Sequence, residues 1–254
     1  MNKEEKIKIE LRDRWTQEIL FSFEKENNTI KDTVIEAIMK KVSLRRVDLL
    51  GANLNGINLT GADLEEALLC YVNFKGSDLS NTNLRNANIQ HATLREVNLT
   101  NADLSDANLE YAECEHSDFT DTKFNNTNFK HANLQGVINA PYIPMKCPEK
   151  GEFIGWKKVR CRKFGGCIVK LLIPKDANRS SATSNKCRCS KAKVLDIYNL
   201  QTYDKVQKVI NKNYTKTLYK TGEYVYPDSF DNDRWNECSN GIHFFMTEDE
   251  AINY

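Results

Sequence analysis

Between Val42 and Gly136 an apolar side chain returns at every fifth residue. Neither a helix, repeating near 3.6, nor a flat strand, repeating at about 2, can use that period. Stepping by five from Leu44 meets Leu49, Leu54, Leu59 and Leu64 and runs on to Phe119, Phe124, Phe129 and Leu134; all 19 positions are apolar, counting Cys114. Two residues earlier in each unit the side chain is small or modest, as at Ala52, Ala62, Ser77, Thr82, Ala92 and Ala107. A crowded interior corner requires such residues.

The residue before each large apolar position is Asn or Asp at 14 of the 19 sites, and these short side chains satisfy nearby turn backbone. Two residues after it, 14 of 19 sites hold Gly, Asn, Asp or His, with His91, His116 and His131 among them. Those types best tolerate positive φ. The spacing therefore predicts a corner every five residues and a closed turn after four units, about twenty residues. Coils stacked at the strand spacing of about 4.8 Å form a rod of nearly five turns, on the order of 23 Å long. Leu44, Leu64, Leu84, Leu104 and Phe124 then make one internal ladder. His91 and His131 share a corner two coils apart, about 9.6 Å, too far for one metal ion; no metal or other cofactor is expected.

The recurring phrases "GADLE", "NANIQ", "NADLS", "DANLE" and "HANLQ" resemble the A(N/D)LXX consensus of the pentapeptide-repeat proteins. That resemblance implies a right-handed coil of square section, a right-handed quadrilateral β-helix. It also implies a candidate partner, because some relatives imitate duplex DNA and modulate DNA gyrase.

The raw ends of such a stack need covers. Residues 1–41 are expected to form one: Ile7, Ile9 and Leu11 alternate, as do Ile19, Phe21 and Phe23, with "RDRWT" turning between them. Thr29 with Asp32 marks a helix start, and Ile30, Val34, Ile35 and Ile38 mark one face of a helix running to about Lys41. The repeat occupies 42–138 and fails when Asn139 takes the next apolar slot. A linker at 139–152 holds Pro141, Pro144 and Pro148.

Residues 153–254 read as an α+β domain. Short strands are expected in "GCIVKLLIP", "KAKVLDIYNL", "TLYKTGEYVYP" and "NGIHFFMT". Val206, Val209 and Ile210 have helical spacing between Thr202 and Tyr214, and Thr247 with Glu250 starts a last helix. The phrases "RSSATSNKCRC" and "FDNDRWNECSNGIHFF" resemble an uncharacterised module attached to pentapeptide repeats in bacterial and phage proteins.

Charge divides the chain. Residues 42–136 hold 7 basic and 13 acidic side chains, while 137–254 hold 20 and 13. A basic segment, Lys157, Lys158, Arg160, Arg162, Lys163, Arg179, Lys186, Arg188, Lys191 and Lys193, is a candidate surface for nucleic acid, another polyanion or an acidic partner. The eight cysteines lack a Cys-x-x-Cys pair and are read as reduced thiols of a cytoplasmic protein. The start "MNKEEKIKIELRDRW" carries no apolar leader, and no span for a membrane is expected. Candidate nucleophiles are Cys238 or Cys187 with His243, but no orienting group or oxyanion loop accompanies them. The reading is a non-catalytic interaction protein with a protein partner, gyrase or another DNA-binding protein being one alternative and nucleic acid another.

Overall fold

The computed structural model describes residues 6–160, 165–211 and 217–254. The protein is mainly β and divides into two compact units, 1–142 and 143–254.

In the first unit, strands β1 (Lys6–Arg12) and β2 (Ile19–Glu26) pair antiparallel with Ile9 opposite Phe23 and Leu11 opposite Phe21. Helix α1 (Ile30–Met39) follows, started by the expected capping box of Thr29 and Asp32. It ends before Lys41, and its buried face is Thr33, Val34 and Ala37. Ile35, expected on that face, points outward, because a three- and four-residue step from Thr33 and Val34 selects Ala37 instead. The hairpin turn joins the repeat directly: Asp13 bridges Val47 antiparallel, Arg14 N–H donates to the Arg46 carbonyl at 2.8 Å, and buried Asp13 pairs with Arg46 at 2.8 Å.

From Asp48 to Ile138 parallel bridges link each residue to the one twenty later, at unbroken five-residue steps: Asp48 to Leu68, Asn53 to Asn73, and on to Asp118 with Ile138. These are isolated single-residue bridges, and the short extended sides expected from the sequence never lengthen into strands. Two families of bonds hold the register, such as Leu64 N–H to the Asn83 carbonyl at 2.8 Å and Asn83 N–H to the Ala62 carbonyl at 3.0 Å. Leu44, Leu64, Leu84 and Leu104 are at most 1% exposed. Phe124 is the exception in that ladder, half-buried in the last turn, where it packs against Phe119 and Phe129 with ring centroids 5.4 and 5.5 Å away.

Buried hydroxyls at the small inward position are satisfied by carbonyls of the preceding coil: Ser77 Oγ donates to Leu54 and Thr82 Oγ1 to Leu59, both at 3.1 Å. The Asn/Asp position works as expected, each carboxyl or amide oxygen accepting the N–H two residues on, as Asn58 does from Thr60 at 2.9 Å. Positive φ occurs at every corner. Beyond the Gly, Asn, Asp and His sites, Arg46, Glu66, Tyr71, Glu96 and Tyr111 adopt it too, with φ of 58 to 60°.

Among the described residues the second unit contains three antiparallel sheets. Strands β3 (Phe153–Val159), β4 (Cys167–Ile173), β7 (Ala192–Asn199) and β10 (Tyr224–Val225) lie in the order β10-β7-β4-β3. β5 (Arg179–Ser181), β6 (Cys187–Cys189) and β11 (Ile242–Phe244) form β11-β6-β5, and β8 (Lys208–Ile210) pairs with β9 (Leu218–Lys220). The expected helix between Thr202 and Tyr214 is therefore corrected: Val209 faces Tyr219 across a ladder, and cross-strand pairing outweighs the three-residue apolar spacing. Residues 212–214 of that segment lie outside the described residues. Helix α2 (Glu248–Asn253) starts at the predicted capping box of Thr247 and Glu250. The core gathers Val159, Val169, Leu171, Val194, Ile197 and Phe244 with four buried cysteines.

Candidate functional site

Two groups of side chains emerge, one on each unit. The first is a column on one corner of the repeat. Tyr71, His91, Tyr111 and His131 stand twenty residues apart, and their rings stack with centroids 4.8, 4.9 and 4.7 Å apart and planes 1, 3 and 16° from parallel. The bridge spacing imposes this: side chains leaving equivalent corners are held one strand spacing apart, so flat rings meet face to face. The two histidines are separated by Tyr111. The tyrosines were legible as members of the same five-residue slot, but a search for residues tolerant of positive φ passes over them.

The charges of the repeat are tied coil to coil. Arg45 reaches Glu65 and Glu66, Arg85 reaches Asp103 and Asp106, and Arg95 reaches Glu113 and Glu115. Lys75, Lys123 and Lys130 likewise pair with Glu96, Asp103 and Glu110. With Arg46 on Asp13, every basic side chain of 42–136 has an acidic partner. Each exposed pair adds little stability, but together they thin the negative field of the coil.

The second group lies on the second unit. Cys238 is exposed, and Lys186 Nζ stands 3.5 Å from its sulfur and 3.4 Å from the Tyr254 hydroxyl. His243, on β11, is bonded elsewhere: its Nε2 lies 3.1 Å from the Glu237 carbonyl. Burial, with Lys186 and Lys157 adding like charge, pushes the imidazole down to about 3. The ring is thus neutral, with Nε2–H donating to the carbonyl. The Glu237 carboxylate accepts from Thr183 and Ser184 N–H, both at 2.8 Å, and from Ser184 Oγ at 2.7 Å. The described hydrogen bonds therefore tie Cys238 to Lys186 and His243 to Glu237, two different partners.

Cys187 sits on β6 opposite Phe244 and is fully buried; contact with the Cys147 thiol and burial together push its thiol up. Cys189 is held near about 12 by burial. Such thiols behave as small apolar side chains.

Four residues of the basic segment point at protein backbone. Arg188 is 2% exposed and donates to the Asn240 and Asp233 carbonyls at 3.2 and 2.7 Å. Arg179 donates to the carbonyls of Ala177, Pro148, Gly151, Pro174 and Lys175. It borders an open cavity of about 450 Å³ also lined by Met145, Phe230 and Asn232. Lys157 donates to the His243 carbonyl at 3.0 Å, and burial draws its ammonium down to about 8. Lys158 donates to the Ile252 carbonyl at 2.8 Å, and Lys191 pairs with Asp176 at 2.5 Å. Arg160 is exposed and Lys193 partly so, while Arg162 and Lys163 lie outside the described residues.

The comparisons with known proteins follow this division. Models of pentapeptide repeats match residues 34–65, 62–101 and 102–138, and a family of unknown function (DUF5758) matches 143–251. Among solved structures the chain is similar to the pentapeptide repeat protein Rfr23 from the cyanobacterium Cyanothece 51142. Identity there is 34% over 37% of this chain and 60% of that one, with a TM-score of 0.31. A pentapeptide repeat protein from Nostoc Pcc 7120 is 31% identical over 43% of this chain and 94% of that one, with a TM-score of 0.24. QnrB1, a plasmid-mediated fluoroquinolone resistance protein, is 18% identical over 38% of this chain and 58% of that one, with a TM-score of 0.24. The chain thus spans less than two thirds of the first of these relatives. No curated protein matches. Among the described residues no helix is long and apolar enough to cross a membrane.

Proposed function

This chain belongs to the pentapeptide-repeat family, and on that premise we propose that it is a non-catalytic interaction protein whose repeat offers its outer faces to a protein partner. We propose for the repeat a right-handed square coil of nearly five turns; bridges at a separation of twenty residues, four five-residue steps, support the square section. The observation that carries the functional reading is the filled interior. Leu54, Leu64, Leu84 and Leu104 and their neighbours are 0–1% exposed, so ligand contacts fall to the exterior. The separate partners of Cys238 and His243 support the same reading.

The test pairs binding with turnover. Reversing charges on the coil, with Glu96→Lys and Asp121→Lys in the full chain, is expected to reduce partner capture, while Cys238→Ala and His243→Ala leave it intact. Turnover of any substrate that disappears in Cys238→Ala or His243→Ala overturns the reading in favour of an enzyme. The use of Arg188, Arg179, Lys157 and Lys158 on backbone carbonyls supports a structural role for these four residues of the basic segment. Labelled DNA or RNA is accordingly expected not to bind; a complex weakening steeply with salt would reverse that assignment.

A second reading, a DNA mimic acting on gyrase or another DNA-binding enzyme, draws on the excess of 13 acidic over 7 basic side chains in the repeat. The coil-to-coil ion pairs weaken it. Inhibition or protection of gyrase supercoiling at micromolar protein supports this reading, and no effect removes it.

A further inference from the structure

The segment that enters the second unit, residues 143–151, forms no strand of its own. Side chains strap it down instead. The Lys146 N–H donates to Ser181 Oγ at 2.7 Å, Arg234 joins the Ile143 and Ser181 carbonyls at 2.8 and 3.0 Å, and Arg179 donates to the Pro148 and Gly151 carbonyls at 3.3 and 2.8 Å. Ser181 stands directly opposite Cys187 across the β5–β6 ladder. Cys147, one residue past the Lys146 anchor, is thereby carried to β6. Both cysteines belong to the same core cluster, at 2% and 0% exposure, and the Cys187 thiol is in hydrogen-bond contact with the Cys147 sulfur. Neighbouring thiols turn elsewhere, Cys189 to the Ile242 carbonyl at 3.7 Å and Cys238 toward Lys186 Nζ at 3.5 Å.

We propose that Cys147 and Cys187 are a redox-modification site, a dithiol that a hydroperoxide converts reversibly to a disulfide, stapling the entry segment of the second unit to β6. The roles of the two sulfurs differ. The Cys187 thiol, donating to its neighbour, holds the Cys147 thiol below its ordinary value against burial, with Arg179 and Arg234 adding positive charge; the same contact and burial push Cys187 up. Cys147 is thus the attacking sulfur and Cys187 the one that resolves. The Cys147 sulfur takes the terminal oxygen of the hydroperoxide, the O–O bond breaks, and the departing oxygen leaves as water or alcohol with the proton that Cys147 gave up. Cys187 then attacks the sulfenic sulfur: the S–O bond breaks, the S–S bond forms, and the hydroxyl leaves as water with the Cys187 proton. Two thiols lose two electrons and the peroxide gains them. An open cavity has Met145, Glu149 and Arg179 in its wall, so solvent reaches the segment on either side of Cys147 in the chain. Held by side-chain bonds and not by a ladder, the segment opens more readily than β6. In a reducing compartment such a bond is transient, as sensing disulfides are.

The experiment treats the folded full chain with hydrogen peroxide, blocks remaining thiols with N-ethylmaleimide in denaturant, and maps the unreduced tryptic digest by mass spectrometry. Trypsin cuts after Lys146, Lys150, Lys186 and Arg188, so it separates Cys187 from Cys189 and the pairing is read directly. We expect residues 147–150 joined to 187–188, two hydrogens lost, and a thermal midpoint for the second unit about 10 °C above that of the reduced protein. Dithiothreitol should reverse all three. Cys147→Ala should lose the rise, and Cys238→Ala, which removes the exposed thiol, should keep it. Absence of the linked peptide, Cys187 joined to Cys189, oxidation confined to Cys238, or a linked peptide with no change in the midpoint overturns the proposal. The wild-type map needs no variant, so it decides even where Cys147→Ala folds poorly. None of these results bears on partner capture by the repeat, which fails or stands on its own test.

Discussion

Lowering the pH should destabilise the second unit through His243. The folded protein holds this imidazole neutral down to about 3, by burial first and then by Lys186, Lys157 and Arg188 nearby. An unfolded histidine protonates near 6.5. Between those values the unfolded state binds a proton that the folded state refuses, so stability falls as pH falls through the window. At pH 4 the penalty is about 3.4 kcal/mol, from roughly 1.36 kcal/mol per pH unit below 6.5. That is a large share of the ~5–15 kcal/mol typical of a domain. The comparison is His243→Gln, whose amide can still donate to the Glu237 carbonyl but does not titrate. Urea unfolding at pH 7 and pH 4, followed by tryptophan fluorescence in a Trp15→Phe background, reports the second unit through Trp156 and Trp235. Wild type should lose about 3 kcal/mol more than the variant on acidification. Carboxylates that also lose stability in acid, such as Asp231, cancel in the difference. Equal losses in the two proteins refute the reasoning.

Leu84→Asp places a carboxylate where exposure is 1%; a loss above about 4 kcal/mol is expected, visible as a collapsed thermal transition of the repeat, and an unchanged melting temperature refutes the register. Lys157 has the opposite window from most lysines. Burial sets its folded pKa near about 8, so the unfolded state holds more protons up to about 10.5 and stability should rise with pH across that range. Lys157→Met removes this rise, and a wild-type-minus-variant difference that is flat from pH 8 to pH 10.5 refutes it. The buried thiol of Cys189 acts in the other direction, and the subtraction removes it.

The repeat was legible because its code is local: one residue in five fills the interior, one satisfies the turn and one takes positive φ. Composition alone still undercounted the corners. Tyr71 and Glu66 pay the left-handed penalty, about 1–2 kcal/mol each, because their N–H groups bond Gln90 and Arg85 carbonyls at 3.0 and 2.8 Å on the next coil. The second unit was less legible for a physical reason. Arg188 and Lys157 look like surface charge in the sequence, yet their partners are carbonyls of Asp233, Asn240 and His243, remote in the chain and invisible to side-chain identity. The strand at Lys208–Ile210 was misread because its partner, Tyr219, lies beyond any short window. The nucleophile candidates illustrate the same limit, since five residues separate Cys238 from His243 while their hydrogen bonds run to different groups.

The bridges at twenty-residue separation also constrain how such a gene can change length. Inserting five residues leaves every leucine pointing inward, so the fold survives, but everything downstream is rotated by one face and each surface column is broken. Tyr71 would then stand under a stranger, and Arg85 would lose both carboxylates. Only a twenty-residue duplication restores the phase, which makes the outer pattern of this protein far less tolerant of small insertions than its core.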